Sequence, residues 1–218
     1  MLGNILSRLT REEPHSPIDA QKHFEAGVGL ATKGLYPRAL VEFKLALRAD
    51  PEFAEAQIEL GSTYHKVGQL DKAIKSYQSA LRIRPNFVSA YINLGAAYDK
   101  CGDFVKALKV YAKAIVLAPQ DAELRNYLGL AYFNIGSYAE AIKAFRQALV
   151  IEPDNARAHY CLGLVYLDLN DPEMALAQHS ELKDRNEKDL AFQLLDQIQR
   201  QSLRVPAHQV ARSNAPAR

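Results

Sequence analysis

The chain lacks any apolar run near the ~20 residues that a membrane-spanning helix needs. Only two of its 218 residues are cysteine, Cys101 and Cys161. They form neither a CxxC pair nor the framework of a small disulfide scaffold, so a zinc module and a stapled secreted domain are both excluded. Charge of one sign is missing too. Against 27 Lys and Arg stand 25 Asp and Glu, a net of +2. No overall field marks a nucleic-acid binder. The first ten residues, MLGNILSRLT, have no basic n-region and too short an apolar core for a secretory signal. The expectation is a soluble, cytoplasmic protein, with a peripheral place at a membrane as the option. Chemistry-bearing motifs are absent as well: no GxxxxGK[ST], no GxGxxG after a strand, no GxSxG, no HExxH. The histidines, His15, His23, His65, His159, His179 and His208, share no metal-like spacing. His159 and Cys161 are two apart, so on a helix they point to different faces and make no nucleophile–base pair. No catalytic residue, metal or cofactor is expected, and no enzyme.

What is present is a period. Hydrophobic residues make up 48% and charged residues 24%, an ordinary globular balance that excludes global disorder. Gly27, Gly61, Gly95, Gly129 and Gly163 recur every 34 residues, as do Gly34, Gly68, Gly102 and Gly136, and Pro51, Pro85, Pro119 and Pro153. Further columns keep the register: Ala39, Ala73, Ala107, Ala141, Ala175; aromatic Phe43, Tyr77, Tyr111, Phe145; small Ala46, Ala80, Ala114, Ala148; and Tyr64, Tyr98, Tyr132, Tyr166. A fixed period of this size signals stacked units. Within one unit, Tyr91, Leu94, Gly95 and Tyr98 fall at helical spacing, Gly102-Asp103 stops that helix and caps the next, and Pro119 ends the second. A glycine inside the first helix costs up to ~1 kcal/mol in helix propensity. It is expected where two helices cross too closely for a Cβ, with the aromatic columns filling the space beside the crossing.

These columns resemble the tetratricopeptide repeat. The segments Tyr91–Pro119 and Asn126–Pro153 fit that family's pattern at nearly every column. The resemblance covers about 20–189 as five units, 20–53, 54–87, 88–121, 122–155 and 156–189. It implies an all-α, right-handed superhelical solenoid of paired antiparallel helices. The fifth unit is degenerate, with Asn170, His179, Leu182 and Glu187 in the glycine, aromatic, small and proline columns. Leu190, Leu194, Leu195 and Ile198 then form a stripe, so 188–203 is read as a C-terminal capping helix over the last face. Residues 1–19 are read as a leader with a short amphipathic segment (Leu2, Ile5, Leu6, Leu9), and 204–218 as a disordered basic tail.

The resemblance also implies that the first helix of each unit lines a concave groove. Carried over column by column, the groove candidates are Phe24 and Val28; Ile58, Ser62 and Lys66; Ile92, Asp99 and Lys100; Asn126, Leu130, Phe133 and Asn134; Arg157, Tyr160, Leu164 and Asp168. Apolar residues are frequent for a wet surface, which marks a binding face. A subset of the family grips acidic C-termini with a Lys/Asn carboxylate clamp. Its first positions fall here on Phe24 and Val28, or one unit later on Ile58 and Ser62, so no such clamp is expected. Similar arrays form the substrate arm of peptide O-GlcNAc transferases, with an asparagine ladder. The matching column reads Glu25, Glu59, Asn93, Tyr127, Cys161, and only Asn93 agrees. The expected function is a non-catalytic adaptor that binds a peptide or helix of another protein. The alternative is a self-associating scaffold, a homo-oligomer at a membrane surface. The second helices add one more expectation. Segments 37–49, 71–84, 103–117 and 138–151 sum to +8 in a chain of net +2. The outer face is therefore expected to touch an anionic surface weakly, with no specific nucleic-acid site.

Overall fold

A computed structural model describes residues 17–204. The leader residues Leu2, Ile5, Leu6 and Leu9 and the tail from 205 onward lie outside the described residues. Within them are eleven α-helices and no strand. The chain divides into two compact units between Leu117 and Ala118. The first unit holds α1 (Pro17–Thr32), α2 (Tyr36–Ala49), α3 (Ala54–Lys66), α4 (Leu70–Ile83), α5 (Val88–Lys100) and α6 (Phe104–Leu117). The second holds α7 (Ala122–Asn134), α8 (Tyr138–Ile151), α9 (Ala156–Asp168), α10 (Pro172–Asp184) and α11 (Lys188–Arg204). Each odd-numbered helix through α9 packs on the one that follows it. The class is that of a helical solenoid of paired helices.

Two kinds of connection alternate, and the sequence dictates both. Inside a pair the chain turns through a left-handed residue: Gly34, Gly68, Gly102 and Gly136 have φ of 74 to 77°. A side chain there would be strained, which is why the column is glycine. The next amide then bonds back into the helix, as Gln69 N–H does to the Tyr64 carbonyl at 2.9 Å. The fifth pair uses Asn170 at φ 57°, since asparagine tolerates this region better than other side-chain-bearing residues. Between pairs the break is proline-driven. Asp50, Arg84 and Glu152 each precede a proline and are held extended at φ −138°, −130° and −128°.

The two recurring glycine columns therefore have different causes. In the first helices the glycine meets the aromatic ring of the paired helix. A Cβ at Gly27 would lie 2.6 Å from the Phe43 ring, one at Gly61 2.6 Å from Tyr77, and one at Gly129 2.6 Å from Phe145. Gly95 meets Tyr111 the same way. The ring does not sit beside a backbone crossing, as the sequence suggests; it occupies the Cβ space itself. Phe43, Tyr77, Tyr111 and Phe145 are accordingly almost fully buried.

The last pair departs from this. His179 stands in the aromatic column and leaves Gly163 uncovered from α10. Leu194 of α11 fills the place, its methyl carbon 2.5 Å from where a Gly163 Cβ would stand. α11 reaches that position because its connection is of the within-pair kind. Asn186 is left-handed at φ 60°, and Glu187 N–H bonds to the Leu182 carbonyl at 2.9 Å. Of the stripe read from the sequence, Leu194 and Ile198 are buried against α9 and α10 and Leu190 packs on the same core, joined by Ala191, while Leu195 stays half-buried outside it.

Candidate partner-binding face

The inner-face columns of the first unit are mostly consumed by its own packing. Ile58 is buried, and Val28 packs on the core. Phe24 lies 4.8 Å from Phe53 and 6.1 Å from Phe43, ring centre to ring centre. Ser62 accepts a hydrogen bond from the Tyr77 hydroxyl at 3.4 Å, and Asp99 accepts one from Tyr111 at 2.7 Å. The two acceptors stand at different positions of the repeat, since Ala96 holds the Ser62 position in the Tyr111 pair; in the phenylalanine pairs the Ser62 position holds Val28 and Leu130 and the Asp99 position holds Ala31 and Phe133. Asp99 is half-buried and its other oxygen has no partner. Burial raises its pKa, and the Tyr111 hydrogen bond opposes that shift. Lys66 and Lys100 are exposed, Ile92 half-buried. His65 has its pKa lowered by burial and by Lys100 and Lys66, which disfavour a third positive charge.

The second unit leaves more open. Leu130, Phe133, Tyr160 and Leu164 rest on the core edge, half-buried. Asn134 and Asp168 are exposed. Phe133 and Leu164, with Leu167 and Asp168, form one side of a cavity of about 480 Å³. Its other side is Gln197, Arg200 and Gln201 of α11. Gln201 donates to the Leu167 carbonyl at 2.8 Å and pins the cap to α9, while Arg200 pairs with Asp196 at 2.9 Å. The hydroxyl of Tyr138 reaches Asp168 at 3.4 Å. The cavity thus has an apolar floor and a rim carrying both charges.

Two sequence-derived residues, Ile58 and Asn126, leave the open face because they are buried, whereas Arg157 stays exposed. Asn126 is 1% exposed and donates to the Asn155 side chain at 2.9 Å, whose oxygen also accepts from the Ala158 amide and so caps α9. It is a structural tie. Arg157 stacks on the Tyr127 ring at 5.0 Å and pairs with Glu123 at 3.5 Å, away from the cavity. Gln197, Arg200 and Gln201 were missed. Their signal is that they flank the Leu190, Leu194, Ile198 stripe, on the side that docks next to α9.

His159 and Cys161 do diverge. The Cys161 thiol is buried, which pushes its pKa up to about 11, and it stays protonated. His159 is fixed between Gln178 at 2.9 Å and the Pro153 carbonyl at 3.3 Å. The same position in earlier pairs reaches the same carbonyl: Tyr91 to Pro85 at 3.0 Å and Arg125 to Pro119 at 2.9 Å. Three residue types share one bracing role, and no spacing rule in the sequence exposes it. Among the described residues, no group of three or more His, Cys, Asp or Glu could hold a metal ion.

Comparison with known proteins agrees with the geometry. The model of the TPR repeat matches residues 64–102 and 132–170, and that of the tetratricopeptide repeat matches 88–121. No curated protein sequence matches the chain. Among solved structures, a crystal structure of MamA is 29% identical with TM-score 0.68, covering 75% of this chain and 95% of its own. TTC0263, a thermophilic TPR protein of Thermus thermophilus, is 27% identical with TM-score 0.65, covering 82% and 98%. YrrB, described as a TPR protein with an unusual peptide-binding site, is 25% identical with TM-score 0.65, covering 82% and 92%.

Proposed function

Because the chain belongs to the tetratricopeptide-repeat proteins, a fold of protein–protein interaction modules, we propose that it is a non-catalytic adaptor. It takes a peptide or helix of another protein on the α7–α9 face of its second unit. The observation that carries this reading is the open cavity bounded on one side by α11, with Phe133 and Leu164 as floor and Asp168, Gln197 and Arg200 at its rim. An apolar anchor from the partner enters, and its flanking polar groups meet the rim. Leu130 and Tyr160 continue the half-buried face beyond the cavity. The peptide-binding site of YrrB, a structural neighbour, supports the class of ligand.

The test is selection of peptides from a displayed library on the intact chain, followed by titration of the recovered peptides. Phe133→Ala with Tyr160→Ala is expected to weaken binding by ~2 kcal/mol or more, as truncated aromatic anchors commonly do. Helicity should stay unchanged. Undiminished binding by that variant and by Arg200→Ala would remove this face from the reading.

A second reading, self-association, draws on Phe192. This ring on the cap helix is 73% exposed, the largest such side chain on α11. Light scattering of the intact chain and of Phe192→Ser decides it. An unchanged monomer mass in both would set self-association through the cap aside.

A further inference from the structure

The second helices of the first unit carry their positive charge on one side only. Their core side is fixed by the buried alanine and aromatic columns: Ala39, Phe43 and Ala46 on α2, and their equivalents on α4 and α6. The three helices contain nine Lys or Arg residues and two acids, Glu42 and Asp71. At about 100° per residue, all nine basic residues fall in an arc of about 120° opposite the core. All nine are exposed. Glu42 lies outside this arc, bonded to His23 at 2.7 Å. Asp71 lies within it, and Asp103, just before α6, pairs with Lys106.

The repeat sets the charges in register. Arg38, Lys72 and Lys106 hold one position in three successive pairs, Lys75 and Lys109 hold a second, and Arg48 and Arg82 a third. The positions in these columns that lack a cation are filled by Val41 and Val116, which are 55% and 81% exposed. Val105, 57% exposed, faces the same side. No aromatic residue stands in the arc. The nearby tyrosines lie beneath it, Tyr64 under Lys44 and Lys72, and Tyr98 under Lys106.

We propose that this face of the first unit docks on an anionic lipid surface. The charges extend along each helix for about 15 Å and across three helices. A polyanionic chain follows one line, whereas headgroups cover an area, and the cations here are spread both along each helix and over three helices. Bases would need rings to stack on, and the arc has none. Exposed valines between the cations suit the boundary of headgroup and acyl chain. Lysines and arginines near such a surface are attracted over about a Debye length, so the contact is weak singly and additive over the array. The reading is independent of the peptide face on the second unit.

The test is co-sedimentation of the full chain with vesicles of phosphatidylcholine alone and with about 30 mol % phosphatidylserine. The expected result is binding to the second kind only, falling at least about tenfold between about 0.05 M and about 0.5 M salt. Lys72→Glu with Lys75→Glu and Lys109→Glu should reduce it by about tenfold or more, while Lys183→Glu with Lys188→Glu, exposed residues outside these basic columns, changes it little. If the triple Glu variant melts lower, the triple Gln variant replaces it, with a smaller loss expected. Equal binding by wild type and triple variant would overturn the proposal, since attraction would then reside elsewhere in the chain. So would the absence of binding to anionic vesicles at low salt. Tighter binding to a short RNA than to vesicles, at the same salt, would assign the face to nucleic acid and overturn it too.

Discussion

Gly29 and Gly129 look alike in composition and differ in environment. Nothing lies within 4 Å of a Cβ built at Gly29, whereas one at Gly129 strikes the Phe145 ring at 2.6 Å. Gly129→Leu and Gly95→Leu are therefore expected to cost ~1–3 kcal/mol or more through overpacking. Gly29→Leu should be neutral or stabilise by up to ~1 kcal/mol through helix propensity. Thermal melts of the three variants check this, and equal shifts would refute the assigned register. Asp99 gives a second expectation. Its folded pKa is raised above the unfolded value, so its protonation favours the folded state. That contribution is present at low pH and lost as pH rises through the raised value. Asp99→Asn lacks this titration. Its melting temperature relative to wild type should climb as pH rises from below the usual carboxylate range and then level off. A flat difference across that range would remove the burial effect. The period exposed both glycine columns. It could not expose Asn126, whose burial depends on Asn155 reaching it from the next pair, nor Arg157, whose place is set by Tyr127 and Glu123 on another helix.

Among the helices, α11 is the one whose role required the fold. The sequence marked its apolar stripe and therefore its docking. It gave no sign that Leu194 takes the place an aromatic holds in the other four pairs, or that Asn186 makes a within-pair turn where a proline break is due. Those facts depend on what His179 fails to fill. Leu194→Ala is expected to destabilise the second unit by ~2–5 kcal/mol, the range for a buried leucine. Gly163→Ala alone should also destabilise. Made in the Leu194→Ala background, it should cost clearly less, because the added methyl enters the space vacated. A double-mutant cycle by chemical denaturation reads the coupling. Strict additivity would mean that Gly163 and Leu194 do not share that space.

The molecule as a whole divides its surfaces between its units: a positively charged outer side on the first, an open cavity under a cap on the second. Substitutions at Lys72, Lys75 and Lys109 are expected to leave peptide titrations on the second unit within about 0.5 kcal/mol of wild type, as exposed sites that share no partner usually do. A coordinated loss in both assays would point to a single shared surface. The glycine–aromatic contacts also bear on how the chain matures. In each of the first four pairs the two partners are sixteen residues apart, as in Gly27 with Phe43 and Gly129 with Phe145. Contacts this local close quickly and need no distant segment. During synthesis each pair can seal its own seam soon after its second helix emerges. Gly163 is the exception, for its partner Leu194 is thirty-one residues downstream. The fifth pair waits, unsealed, until α11 has been made, so a stalled or shortened chain exposes its apolar edge at that one place. Limited proteolysis of nascent chains released before and after Leu194 should find the protected boundary moving from α8 to α11 in a single step.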